Sequence, residues 1–229
     1  MKLISGLVDL DVPLHSQPAT QQDKWVIETL RDKKGQPLTG GYFVECGIND
    51  GLQHSNTLTL EHYFGWNGLL VEADPALSTQ ARENRPDCRH ATFALSCTND
   101  SVVRFTRGGQ WGGLTAFLPD AWRREAAARH AEEIWVTTRT LASLLVWAKA
   151  PSIIDYLSLD IEGAEVSVLQ EFFDGGRPTH RFRCLTVEYR QEAAELMRLH
   201  RILEPHGYVL DHTQAWDAMF INQSLVPST

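Results

Sequence analysis

Residues 42–51 read YFVECGINDG. The apolar run Tyr42–Val44 followed by Glu45 and Cys46 reads as a short buried strand that ends in a carboxylate. Gly47 and Gly51 follow, four positions apart, with Asn49 and Asp50 between them. Glycine lets the backbone turn sharply and approach a ligand closely. Amides exposed after a strand can bond a carboxylate or phosphate, and a nearby acid suits an ammonium group. The stretch therefore predicts a strand, a turn and a site for a small charged cofactor, with Glu45, Gly47, Asn49, Asp50 and Gly51 as its candidate contacts. The bland alternative is a tight turn with a surface acid. The glycine spacing does not match the GxGxxG of a dinucleotide loop, which weakens an NAD(P)-binding reading.

Outward from this stretch, strands and helices alternate. Residues 68–73, GLLVEA, form another strand ending at Glu72 and Ala73; an acid at this place commonly bonds ribose hydroxyls. Asp74-Pro75 then opens a helix, with aspartate at the cap and proline at the first helical position. Helices are expected at 25–34, 55–64, 120–133, 141–150, 165–173 and 191–207. RHATFALS at 89–96 and SVVRFTR at 101–107 read as two strands paired through CTND, with GGQWGG at 108–113 as a flexible loop. Further strands fall at 135–138, 153–160 and 183–189, and a terminal hairpin at 208–212 and 218–223. The pattern predicts an α/β sheet wound on both sides, whose ligands bind beyond the carboxyl ends of the strands. Glu45, Glu72, Asp160 and Glu188 all fall near such ends.

The 229 residues suit an irregular arm over 1–24 and one domain over 25–229, with a small insertion near 108–133. A net charge of −8 argues against a nucleic-acid coat protein, which would need a basic face, and leaves room for a local basic patch only. The four cysteines lack CxxC spacing, the N-terminus has no signal-peptide pattern, and no apolar run is long enough to span a membrane. The expectation is a soluble, cytoplasmic protein that acts on a small-molecule acceptor.

SLDIEGAE at 158–165 concentrates carboxylates at one strand end. Two acids there can divide duties, one accepting a substrate proton while the other stays ionised; Asp160 and Glu162 are the candidates. Glu165 reads as a first-turn helix acid. Glu188, in TVEYR, reads as a further wall, and Asp160 with Glu188 could hold Mg²⁺. His54 lies within reach of a substrate, His62 reads as a surface residue, and Trp111 as either a lid or loop packing.

The segments GYFVECGINDG, SNTLTLEHYFGWNGLLVEADP and LSLDIEGAEVSVL together resemble the FkbM-type S-adenosylmethionine-dependent methyltransferases. SNTLTLEHYFGWNGLLVEADP is similar in particular to the Star-like branch of that family. The resemblance runs over about 25 to 222 and is densest at 41–75 and 154–169. It implies a class I methyltransferase fold, a Rossmann-like, mostly parallel seven-stranded sheet with an antiparallel last strand pair. It implies S-adenosyl-L-methionine as cofactor and a hydroxyl as the usual acceptor. By position, Glu45, Gly47 and Asn49 would line the methionine side, Glu72 would take the ribose, and Ala94 and Leu95 would border the adenine. Asp160 and Glu162 fall on the acidic motif beside the transferred methyl. Ile48 stands where the family usually has a small residue. The expected activity is O-methylation of a small molecule or sugar. The competitors are a catalytically inactive methyltransferase-like binding protein and an NAD(P)-binding oxidoreductase.

Overall fold

The structure, a computed structural model, describes residues 12–174 and 178–226. Along the chain run α1 (Gln22–Thr29), β1 (Tyr42–Cys46), α2 (Leu58–Phe64), β2 (Asn67–Glu72), α3 (Pro75–Asn84), β3 (Arg89–Thr92), β4 (Ala94–Leu95), β5 (Val102–Thr106) and β6 (Gly113–Leu114). There follow α4 (Asp120–Ala128), β7 (Glu133–Arg139), α5 (Leu141–Ala148), β8 (Ile153–Leu159), α6 (Glu165–Asp174), β9 (Arg181–Glu188), α7 (Ala193–Leu203), β10 (Tyr208–Gln214) and β11 (Asp217–Asn222).

Seven strands form one sheet in the order β10-β11-β9-β8-β1-β2-β3. β1 lies parallel between β2 and β8, and β11 is antiparallel to both β9 and β10. This is the doubly wound, mostly parallel sheet with an antiparallel last pair that the alternation and the resemblance predict.

Strand side chains alternate between two cores. Val44, Leu69, Leu157 and Leu185 face α5–α7, whereas Phe43, Leu70, Tyr156 and Cys184 pack with Trp25, Leu60 and Ala81 of α1–α3. The same parity assigns Glu45, Glu72, Asp160 and Glu188 to the α1–α3 face. On that face Glu45, Ser158 and Thr186 form a buried polar row. Gln22 of α1 covers it: its Oε1 accepts from Tyr156 Oη at 2.9 Å, Ser158 Oγ at 3.3 Å and Thr186 Oγ1 at 2.9 Å. α1 thus begins at Gln22 and draws the end of the expected arm into the sheet. It stops at Thr29, earlier than the sequence pattern implies, because Asp32 Oδ1 accepts from the amides of Lys34 and Gln36 and holds a turn there.

The segment 89–107 departs from the expected hairpin. β3 stays in the main sheet beside β2, the chain breaks at Phe93, and β4 pairs instead with β7. β5 pairs antiparallel with β6 and β7, giving an additional four-stranded sheet, β4-β7-β5-β6. The CTND turn is held by β7: Asp100 N donates to Thr138 O at 2.9 Å, and Arg139 Nη1 reaches Asp100 Oδ2 at 2.9 Å. Residues 108–113 are more ordered than a flexible loop, forming a 3₁₀ turn at Gly109–Trp111 and then β6. α4 ends at Ala128 because Glu133 already belongs to β7.

One ion pair anchors the first strand. Arg85 is fully buried and reaches Glu45 Oε2 at 3.2 Å and Glu61 Oε2 at 2.6 Å. Its guanidinium also donates to Ser55 Oγ and Thr57 Oγ1. Glu45 in turn accepts from Asn56 N at 2.6 Å and Ser55 Oγ at 3.0 Å. Removing one partner of such a pair strands the other charge in the interior. Arg85→Met is expected to lower unfolding stability by about 3–5 kcal/mol. Glu45→Gln/Arg85→Met should recover part of that loss; urea denaturation of both variants checks the sign.

Candidate active site

The turn after β1 is shaped by contact between two strand ends. Gly47 has φ +82°, and a Cβ built on it would lie 1.7 Å from the carbonyl oxygen of Asp160. Gly47 N donates to Val71 O at 3.0 Å and Asp160 N to Cys46 O at 3.2 Å, so the ends of β1, β2 and β8 are tied together. Only glycine fits this position without moving the peptide after β8.

Glu72, at the end of β2, faces this turn. Its two oxygens accept separately from Asn49 N at 2.9 Å and Asp74 N at 2.8 Å. Burial pushes its carboxyl up to about 7 despite those amides. Asp74 caps α3 through Ala76 N at 2.9 Å and is also gripped by Arg107.

Gly47, Asn49, Glu72, Ala73, Ala94 and Leu95 line one narrow groove, which continues to Asp160 and Glu162. Phe93, Phe105 and Leu114 complete its apolar end, and Gln110 reaches it from the 3₁₀ turn. A wider cavity of about 570 Å³ adjoins it, lined by Glu45, His54, Trp111, Trp122, Glu188 and Trp216 among others. Gly47, Asn49, Gln110, Asp160 and Glu162 line both, so groove and cavity meet at the acidic strand end.

Asp50 and Gly51 stand outside both walls. Asp50 Oδ1 accepts from Leu52 N and Gln53 N within its own turn, and Gly51, at φ +81°, packs against Ala81 and Arg85. Glu45 reaches the cavity, but its carboxylate is committed to Arg85 and to the start of α2. Ile48, only 2% exposed, turns into the core beneath α2 and α3 and leaves the groove open.

The acids beyond β8 and β9 form a cluster with one cation. Glu162 is 7% exposed and sits at φ +61°. Arg190 Nη2 lies 3.8 Å from Glu162 Oε2, and Arg190 Nε 3.5 Å from Glu188 Oε2. Gly163, at φ +115°, admits the guanidinium: a Cβ there would meet Arg190 Nη2 at 2.5 Å. Burial, then Glu188, pushes Glu162 up to about 9; burial, then Asp160 and Glu165, pushes Glu188 up to about 10. Asp160 is held well above the usual carboxylate range, by burial first and then by Glu162 and Asp217.

Asp160, Glu165 and Glu188 bring carboxylate oxygens within 4.8 Å of one another. The donor set nevertheless fits Mg²⁺ poorly. Glu165 already accepts from Ile161 N and, with both oxygens, from Gly163 N. The guanidinium of Arg190 adds positive charge beside Glu188. Mg²⁺ prefers a full octahedral oxygen shell, which carboxylates already committed to amides and a guanidinium do not offer.

The sequence reading missed Arg85, Gln22, Arg190 and Asp217. Arg190 closely follows the strand that ends in Glu188 and was visible in TVEYR; Arg85 and Gln22 sit in polar stretches without a pattern. Among the described residues, no helix is long and apolar enough to cross a membrane.

The chain matches the methyltransferase FkbM domain over residues 45–210, most of its length. It belongs to the FkbM methyltransferase family. No curated protein sequence matches it. Among solved structures, this FkbM domain is similar to the METTL16 methyltransferase domain, at 12% identity and a TM-score of 0.50, over 92% of this chain and 72% of that one. It is also similar to a precorrin-6y C5,15-methyltransferase from Geobacter metallireducens GS-15, at 10% identity and a TM-score of 0.46, over 94% and 95% of the two chains. At 0.49 and 12% identity, over 93% and 74%, it matches the N-terminal domain of human METTL16 in complex with SAH. Its domain and fold are those of S-adenosylmethionine-dependent methyltransferases.

Gly47→Ala in this FkbM domain forces a side chain into a left-handed turn and against the Asp160 carbonyl. A loss of more than about 1 kcal/mol is expected; a thermal melt unchanged from wild type would show that the turn can move aside.

Proposed function

We propose that the chain is an S-adenosylmethionine-dependent O-methyltransferase acting on a hydroxyl of a small molecule or sugar. The observation that carries this reading is the junction at Asp160 and Glu162, which line both the narrow groove and the wide cavity. The groove suits the cofactor on its own chemistry. Gly47 lines the groove with bare backbone where its turn meets the Asp160 carbonyl, Glu72 offers a carboxylate to ribose hydroxyls, and Ala94, Leu95 and Phe93 offer an apolar end to adenine. When bound, the cofactor supplies an electrophilic methyl on a sulfonium, whose leaving group needs no proton.

The residues of the chain then have three tasks. The turn at Gly47 and the carboxylate of Glu72 fix the position of the donor. The wide cavity orients the acceptor and limits water; such alignment is worth roughly 7–11 kcal/mol of barrier when ideal. Burial keeps Asp160 and Glu162 protonated well above the usual carboxylate range. It is therefore the ionised fraction of one of them that accepts the hydroxyl proton at a carboxylate oxygen, a contribution of about 10²–10⁴-fold that should grow as pH rises.

Glu72→Ala is expected to weaken S-adenosylhomocysteine binding in calorimetry, whereas Asp160→Asn should lower turnover more than affinity. Equal binding by wild type and Glu72→Ala would remove Glu72 from the site. A protein that binds this product yet transfers no methyl to any hydroxyl would support the inactive binding protein instead.

The ionisation of Glu72 gives a pH test. With its carboxyl raised to about 7, the buried group is largely protonated below that pH and ionised above it. The ionised form is the stronger acceptor for hydroxyls. Product affinity should therefore rise between pH 6 and pH 8, by up to about tenfold per unit below 7. Glu72→Gln should flatten that slope, and an equally steep slope in the variant would assign it to another group.

A further inference from the structure

The wide cavity is rich in acids and poor in bases, and burial holds protons on Asp160, Glu162 and Glu188 until a cation arrives to replace them. Asp160, Glu162, Glu188 and Glu192 line it against the single guanidinium of Arg190, while Glu45 is already matched by Arg85. Arg190 is too distant for a close pair, at 3.8 Å from Glu162 and 3.5 Å from Glu188. Two buried oxygens in this region, Glu188 Oε2 and Asp217 Oδ1, have no hydrogen-bond partner among the described residues. Asp217 is 0% exposed and stands opposite Glu188 in the strand register. The backbone at Glu162 adopts a left-handed conformation, and the residue is more than nine-tenths buried at the seam of groove and cavity.

Another feature of the same cavity is independent of the acids. Trp111, Trp122 and Trp216 all line it. Trp111 and Trp122 meet edge to face with centroids 5.7 Å apart, and Trp111 remains 54% exposed. Aromatic faces beside uncompensated carboxylates are the recognition chemistry of an organic cation, since an indole face attracts a cation through its quadrupole. A phosphorylated or carboxylated acceptor would bring no cation to draw the protons off these acids and would meet like charge wherever one of them ionises, which costs affinity.

We propose that the acceptor carries a protonated amine near its reacting hydroxyl, and that Glu162, Glu188 and the tryptophan wall receive that ammonium group. The assignment rests on the methyl-transfer reading for the role of the cavity, and it narrows the substrate class to amino alcohols and amino sugars. An ammonium needs only a few acceptors and an aromatic face, and so tolerates Arg190 nearby better than a divalent ion does. With Glu162 engaged by the ammonium, Asp160 is left to accept the hydroxyl proton; Glu162 and Glu188 are then specificity-determining groups, separate from the positioning of the cofactor by Glu72.

Tryptophan fluorescence of the full chain, saturated with S-adenosylhomocysteine, tests this directly. The probes are glucosamine, N-acetylglucosamine, glucose and glucose 6-phosphate, a series that differs mainly in charge. Glucosamine should quench saturably and bind about tenfold more tightly than its neutral relatives, a difference expected of one charge-assisted contact. Glu188→Gln should bring the amine and the neutral probes to near parity while product binding, followed by calorimetry, is kept. Trp111→Ala, on an exposed turn, is the alternative variant should Glu188→Gln not fold, and it should weaken the amine selectively. Equal or tighter binding of the neutral or phosphorylated probes overturns the proposal, as does the absence of saturable quenching by the amine. Amine preference in a protein that never binds S-adenosylhomocysteine would keep the cation site and sink the methyl-transfer reading instead.

Discussion

The peptide after β8 touches the peptide after β1, with no side chain between them. Everything at the site is referenced to that contact. Gly47 lies against the Asp160 carbonyl, and Asp160 N bonds back to Cys46 O, so the glycine turn and the acidic strand end cannot shift independently. Glu72 extends the same frame to β2 by holding the amides of Asn49 and Asp74. Groove and cavity meet where they do because three neighbouring parallel strands end level and their backbones bond to one another.

Buried charge is handled in two opposite ways a short distance apart. At Glu45 the carboxylate is fully answered by Arg85, two hydroxyls and an amide, and it serves as architecture. Past β8 and β9, acids outnumber bases and hydrogen bonds are missing, and burial with mutual repulsion keeps protons on the carboxyls far above their usual range. Interiors normally satisfy such groups. An unsatisfied set beside a satisfied one marks where stability has yielded to binding.

Much of this was legible in the sequence because strand periodicity and glycine placement are local signals. β1, β2, β8 and the last hairpin follow from apolar runs of the right length, and parity alone assigns the four strand-end acids to one face. Gly47, Asn49, Glu72, Ala73, Ala94, Leu95, Asp160 and Glu162 share one groove, as the strand-end rule and the family resemblance imply. What stayed hidden depends on distant partners. Nothing near Arg85 announces that it will pair with Glu45 across 40 positions. The break at Phe93 was invisible because β4 chooses β7, which lies beyond a helix and two strands, over its neighbour β5. Asp50 reads as a ligand contact from its place in the turn; the structure uses its Oδ1 for the local amides of Leu52 and Gln53, a partnership that turn chemistry could also have suggested.

The polar row under the cavity joins α1 to β11. Gln22 binds hydroxyls on β8 and β9 and donates to Asp217 of β11, 195 positions away. The floor of the wide cavity therefore closes only once α1 and β11 have met, however early the strands between them pair. A fragment that stops short of β11 would lack the Asp217 partner of Gln22 and leave that floor open.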